Sequence, residues 1–126
     1  MKKTVESILM LMLVASLLCT TAFAVQARWQ NVASITPRFY SGSDHYSSAI
    51  RGEPGTTKIE CTLTFYEKTQ YGTYKEVSHA SETYYGQTHT FIGYYNIEAG
   101  KTYKLVTEAT VTCNGVEEDV SYSYEK

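Results

Sequence analysis

Proline is scarce in this 126-residue chain, which carries only Pro37 and Pro54, and tryptophan occurs once, as Trp29. No stretch shows sustained helical periodicity, so a helical domain is not expected. Low-complexity tracts and internal repeats are absent, as is any Asn-x-Ser/Thr sequon. Charge is also modest, with 11 basic and 13 acidic residues. Without a basic stripe there is no electrostatic footprint for nucleic acid or an anionic membrane. The three histidines, His45, His79 and His89, show neither His-x-His nor His-x-x-x-His spacing. His79 and His89 could lie on neighbouring strands, but no metal is assigned to them. The acidic run Glu117-Glu118-Asp119 lacks the spaced Asp/Asn/Gly ligands of a calcium loop and reads as a solvated hairpin face. No Gly-x-Ser-x-Gly elbow, glycine-rich phosphate loop or visible pair of facing carboxylates is present. Catalytic residues, metal and cofactor are therefore all assigned as none.

What is present begins with an export signal. Lys2 and Lys3 precede an apolar run from Ile8 to Leu18, broken only by Ser16, and Ala22-Phe23-Ala24 places small residues at the −3 and −1 positions. Residues 1–24 are expected to be a cleaved secretory signal, with 27 as the alternative end after Val25-Gln26-Ala27. The apolar core falls short of the ~20 residues of a membrane span, so no stable anchor is expected after cleavage. Lipidation at Cys19 would follow Leu18, where a small residue is normally required. Residues 25–126 then form one extracellular domain of net charge −3, a length that suits a single core.

That domain is rich in Thr, Ser, Tyr and Val, residues suited to strands. From Lys58 to Phe65, Ile59, Cys61, Leu63 and Phe65 alternate with polar residues. From Tyr103 to Cys113 the odd positions again carry most of the apolar set. Asn114-Gly115 follows, the strongest short hairpin signal, because both turn positions favour φ > 0. A two-residue turn there pairs Cys113 with Val116, Ala109 with Val120 and Thr107 with Tyr122. Pro54-Gly55 has the residues of a type II turn. With further runs near 29–36, 45–51, 73–79 and 88–96, the count is about seven strands, which points to an antiparallel β-sandwich. Cys61 and Cys113 lie in the core-facing phase of their strands and, in an oxidising compartment, are expected to form one disulfide. Its loop of about 50 residues would contribute roughly 3–4 kcal/mol.

The segment Ile97-Glu98-Ala99-Gly100-Lys101-Thr102-Tyr103 resembles the tyrosine corner of fibronectin type III and related immunoglobulin-like sandwiches. The resemblance implies structural roles for Ile97, Gly100 and Tyr103 and an immunoglobulin-like architecture. It departs from antibody domains in having both cysteines on neighbouring strands of one sheet and its Trp at the start of the domain. The signal, Arg28-Trp29, Gly55-Thr56-Thr57-Lys58-Ile59-Glu60-Cys61 and Gly100-Lys101-Thr102-Tyr103-Lys104-Leu105 resemble short uncharacterised secreted proteins of Gram-positive, clostridia-type bacteria. No activity carries over from that group.

Twelve tyrosines are the chain's main surplus. Tyr103, Tyr95, Tyr122 and Tyr124 are expected in the core or at its edge. Tyr66, Tyr74 and Tyr94 fall in the outward phase, and Tyr71, Tyr84 and Tyr85 in loops. These six are candidate binding residues, since tyrosine offers flat apolar area with a hydrogen-bonding tip. The expectation is a secreted, non-catalytic binding module for an extracellular protein or glycan. A bacteriocin-like effector is the alternative, with a small hydrolase behind it.

Overall fold

A computed structural model describes residues 29–126; the expected signal segment lies outside the described residues. Seven strands follow one another: β1 (Val32–Phe39), β2 (His45–Gly52), β3 (Thr56–Lys68), β4 (Tyr74–Tyr84), β5 (Thr88–Tyr94), β6 (Tyr103–Cys113) and β7 (Val116–Glu125). They form two antiparallel sheets, β1-β2-β5 and β4-β3-β6-β7, packed face to face as a β-sandwich. The alternation in β3 and β6 has a direct physical outcome: Ile59, Leu63, Phe65, Tyr103, Leu105 and Val111 are all buried, while the intervening polar residues point away from the core. No helix among the described residues is long and apolar enough to cross a membrane.

The β6–β7 hairpin has the register that its turn demands, with Cys113 opposite Val116, Ala109 opposite Val120 and Thr107 opposite Tyr122. Asn114 and Gly115 have φ of 51° and 78°. Glu118, which breaks the apolar phase of β7, is inward for a reason: its carboxylate accepts the backbone N–H of Gln30 (3.0 Å) and Asn31 (2.9 Å). The buried Asn31 amide in turn donates to the carbonyls of Val111 and Val116, both at 2.8 Å. The segment just before β1 is thus joined to the β6–β7 hairpin by side-chain bonds.

An aromatic cluster occupies one end of the core. Phe65 stacks on Tyr46 (4.5 Å between centroids) and on Tyr103 (5.1 Å), with Phe39 edge-on to Phe65. The Tyr46 ring crosses β5 over Gly93, its register partner, where a Cβ would overlap the ring. Its hydroxyl then meets Ser78 Oγ on β4 at 2.8 Å, and Ser78 donates to the Tyr94 carbonyl at 2.9 Å. Elsewhere between the sheets, buried Thr107 donates to buried Ser48 at 2.9 Å, so neither hydroxyl is left unpaired. After β5, Ile97 and Tyr103 are buried, Gly100 has φ of 85°, and the Tyr103 hydroxyl accepts the N–H of Glu98 at 3.0 Å.

The expected disulfide is not formed: Cys61 and Cys113 are both free and buried. They share a sheet and a face, but the register separates them. Cys61 lies opposite Ala109, and Cys113, four residues further along β6, lies opposite Thr56. At ~3.4 Å per residue that offset is roughly 14 Å, whereas a disulfide needs Cα atoms about 4.4–6.8 Å apart. Burial, with Glu82 nearby, pushes the Cys61 thiol up to about 12, so it is a protonated apolar filler at neutral pH.

Candidate binding face

The six candidate tyrosines divide among three places. Tyr66 on β3 and Tyr74 on β4 share one end of the outer face of the four-stranded sheet, and Tyr71 is on the β3–β4 turn at that end, 83% exposed. Tyr84 and Tyr85 lie at the opposite end of β4. Tyr84 is the last residue of that strand rather than a loop residue, because β4 extends five residues beyond the expected run. It stacks on His89 at 4.1 Å, and His89 Nε2 lies 2.8 Å from Glu82. Tyr94 is on the outer face of the other sheet, opposite His45. Of the tyrosines expected inside, Tyr95 and Tyr124 are half-buried, while Tyr122 is 39% exposed and edge-on to Trp29.

Strand register builds the face around Tyr66. One row across the sheet reads Glu76, Tyr66, Lys104 and Glu125; the next reads His79, Thr64, Val106 and Ser123. Lys104 Nζ lies 4.9 Å from the Tyr66 ring centre and 4.4 Å from that of Tyr74, with Lys68 at 6.0 Å from Tyr74. This is cation–π geometry: the ammonium faces both rings and holds them in place. Partial desolvation, followed by the Glu125 carboxylate, raises the Tyr74 phenol above its ordinary value, so it remains a neutral donor.

Beyond the aromatic end the face becomes a floor of hydroxyls and carboxylates. Two shallow depressions of about 500 and 310 Å³ flank β6 and share Glu108 and Thr110. Thr62 and Ser81 bond to each other at 3.0 Å, and Thr110 donates to Asp119 at 2.7 Å. The short side chains of Thr and Ser leave the floor low between the longer Glu side chains. A third opening, about 180 Å³, lies between the β4 and β5 edges, where Cys61, Leu63, Ala80 and Phe91 line it. No group of three or more His, Cys, Asp or Glu residues able to hold a metal occurs among the described residues. His79 and His89 do not converge: His79 shares the outer row with Thr64, whereas His89 contacts Glu82 and Tyr84.

Lys104, Thr62, Glu108 and Thr110 were not singled out by the sequence. Their outward phase and the adjacency of β3 and β6 were both readable there, but the register that sets Lys104 opposite Tyr66 was not.

No protein-family model matches the chain, and no curated protein matches it. Among solved structures, one similar chain is a Bacteroides uniformis β-glucuronidase 2 covalently bound to cyclophellitol-6-carboxylate aziridine. The identity is 17% and the TM-score 0.29, over 74% of this chain and 12% of that chain.

Proposed function

We propose that this chain is an exported, non-catalytic binding module that holds an extended oligosaccharide on the outer face of its four-stranded sheet. The reading rests on one observation: paired rings, Tyr66 and Tyr74, set by Lys104 at the end of a hydroxyl- and carboxylate-lined floor. Sugar rings present apolar C–H faces and a rim of hydroxyls, and the two parts of this surface complement those features in turn. Export is supported by Lys2, Lys3, the Ile8–Leu18 run and Ala22-Phe23-Ala24, and an exported module would meet its ligand outside the cell.

The test is a glycan array with residues 25–126, followed by calorimetry on any ligand retained. Tyr66→Ala and Tyr74→Ala should each weaken binding roughly tenfold, equivalent to about 1.4 kcal/mol. Tyr85→Ala, at the far end of the sheet, should leave binding unchanged. An array with no retained glycan, or equal affinity in all three variants, would refute the reading.

A further inference from the structure

A two-sheet sandwich has four edge strands, and here three of them are obstructed. β1 carries Pro37, which offers no N–H, and its register with β2 shifts between Val32 and Ser34. β4 has a register shift opposite Phe65 and Tyr66. β4 and β5 are also bridged to each other, by Ser78 to the Tyr94 carbonyl and by Glu82 to His89.

β7 is touched by the segment before β1, through Glu118 to Gln30 and Asn31 and through Tyr122 to Trp29, but only at its even-numbered residues. Its ten residues pair with β6 without a shift, and among the described residues no strand lies on its other side. The phase of its backbone follows from both ends of the ladder. Cys113 and Val116 flank the two-residue turn, and Tyr103 and Lys126 exchange N–H···O bonds at 3.1 and 3.0 Å. Hydrogen-bonded pairs alternate along an antiparallel ladder, so the even residues of β7 turn their backbone groups to β6. Glu117, Asp119, Ser121, Ser123 and Glu125 therefore direct theirs outward, and all five are exposed.

We propose that the β7 edge accepts an extended basic peptide as an added antiparallel strand. Backbone pairing with these five residues would supply the attachment, and the peptide's Lys or Arg side chains would meet Glu117, Asp119 and Glu125 on the outer face. The charge also decides against the simplest rival occupant, a second copy of the chain. A two-fold pairing centred on Ser121 sets Glu117 of each copy against Glu125 of the other, and like charges directly opposite are destabilising. This proposal does not depend on the oligosaccharide reading.

The experiment uses residues 25–126, a synthetic nine-residue peptide in which Lys and Thr alternate with Val, and its Glu-for-Lys counterpart. Amide shifts on titration with the Lys peptide should concentrate at the five outward residues of β7, and added salt should weaken binding. Ser121→Pro removes an outward N–H and no bond to β6, so it should leave the fold's melting unchanged yet weaken the peptide at least tenfold. Asp119→Lys should reduce preference for the Lys peptide over its Glu counterpart. Tyr66→Ala should leave peptide binding intact, which separates this outcome from that of the glycan test. The proposal fails if the Lys peptide does not bind, or if Ser121→Pro binds it equally well, the mark of charge attraction alone. It fails also if sedimentation finds a dimer that Ser121→Pro dissolves.

Discussion

Tyr46 shows what one residue contributes to this fold. Its ring is fully buried against Phe65, and its hydroxyl reaches Ser78 on the facing sheet. The route is open only because Gly93 has no side chain. Gly93→Ala should therefore destabilise the domain by about 1–3 kcal/mol, as overpacking of a filled core does; urea denaturation would measure it. The cysteines are the complementary case. As two separate buried thiols, both should react with an alkylating reagent in denaturant without prior reduction, and neither should react in the folded protein. Intact mass before and after labelling checks this. Phase put both cysteines on the core side, and that part of the sequence reading was sound. Alternation specifies a face and says nothing of position along the strand, so the offset between Cys61 and Cys113 was not legible.

Elements joined by a decisive turn were the most legible. Asn114-Gly115 fixes both the turn and the register of everything paired through it, and the hairpin follows that register over its whole length. Gly115→Ala, which places a Cβ at φ 78°, should cost about 1–2 kcal/mol, read as a lower urea midpoint with an unchanged slope. Strands separated by long connections were a different matter. The sandwich reading set β3 beside β6 as neighbours in one sheet, but their register joins residues 36 to 57 apart in sequence, and no local signal encodes that register. The candidate face inherits that limit. Tyr66 and Tyr74 were both singled out, but Lys104, which joins them, acquires its role only when β6 lies beside β3. Tyr84 was misplaced because tyrosine at a strand end and in a loop look alike until His89 stacks on it.

At the scale of the whole molecule, burial of ionisable groups sets an alkaline limit. Tyr46 and Tyr103 have phenols raised above 10.0, chiefly by desolvation, and the Cys61 thiol is raised from 9.0 to about 12. Each is charged when deprotonated, so the unfolded chain releases these protons first and folding is disfavoured once it does. Their stabilising contribution is complete below pH 9 and is lost as pH rises towards 12. The urea midpoint should fall across that window, and Cys61→Ala should move the onset towards pH 10. A midpoint independent of pH up to 12 would contradict the assignment.

The bonds from Asn31 and Gln30 to the β6–β7 hairpin impose an order in time as well as in space. A chain emerging from a ribosome or a membrane pore with its N-terminus first presents Asn31 long before Val111, Val116 and Glu118. Its buried amide remains without partners until the final hairpin is free. The sandwich is thus closed by its β6–β7 hairpin, and the native structure becomes possible only once that hairpin is available.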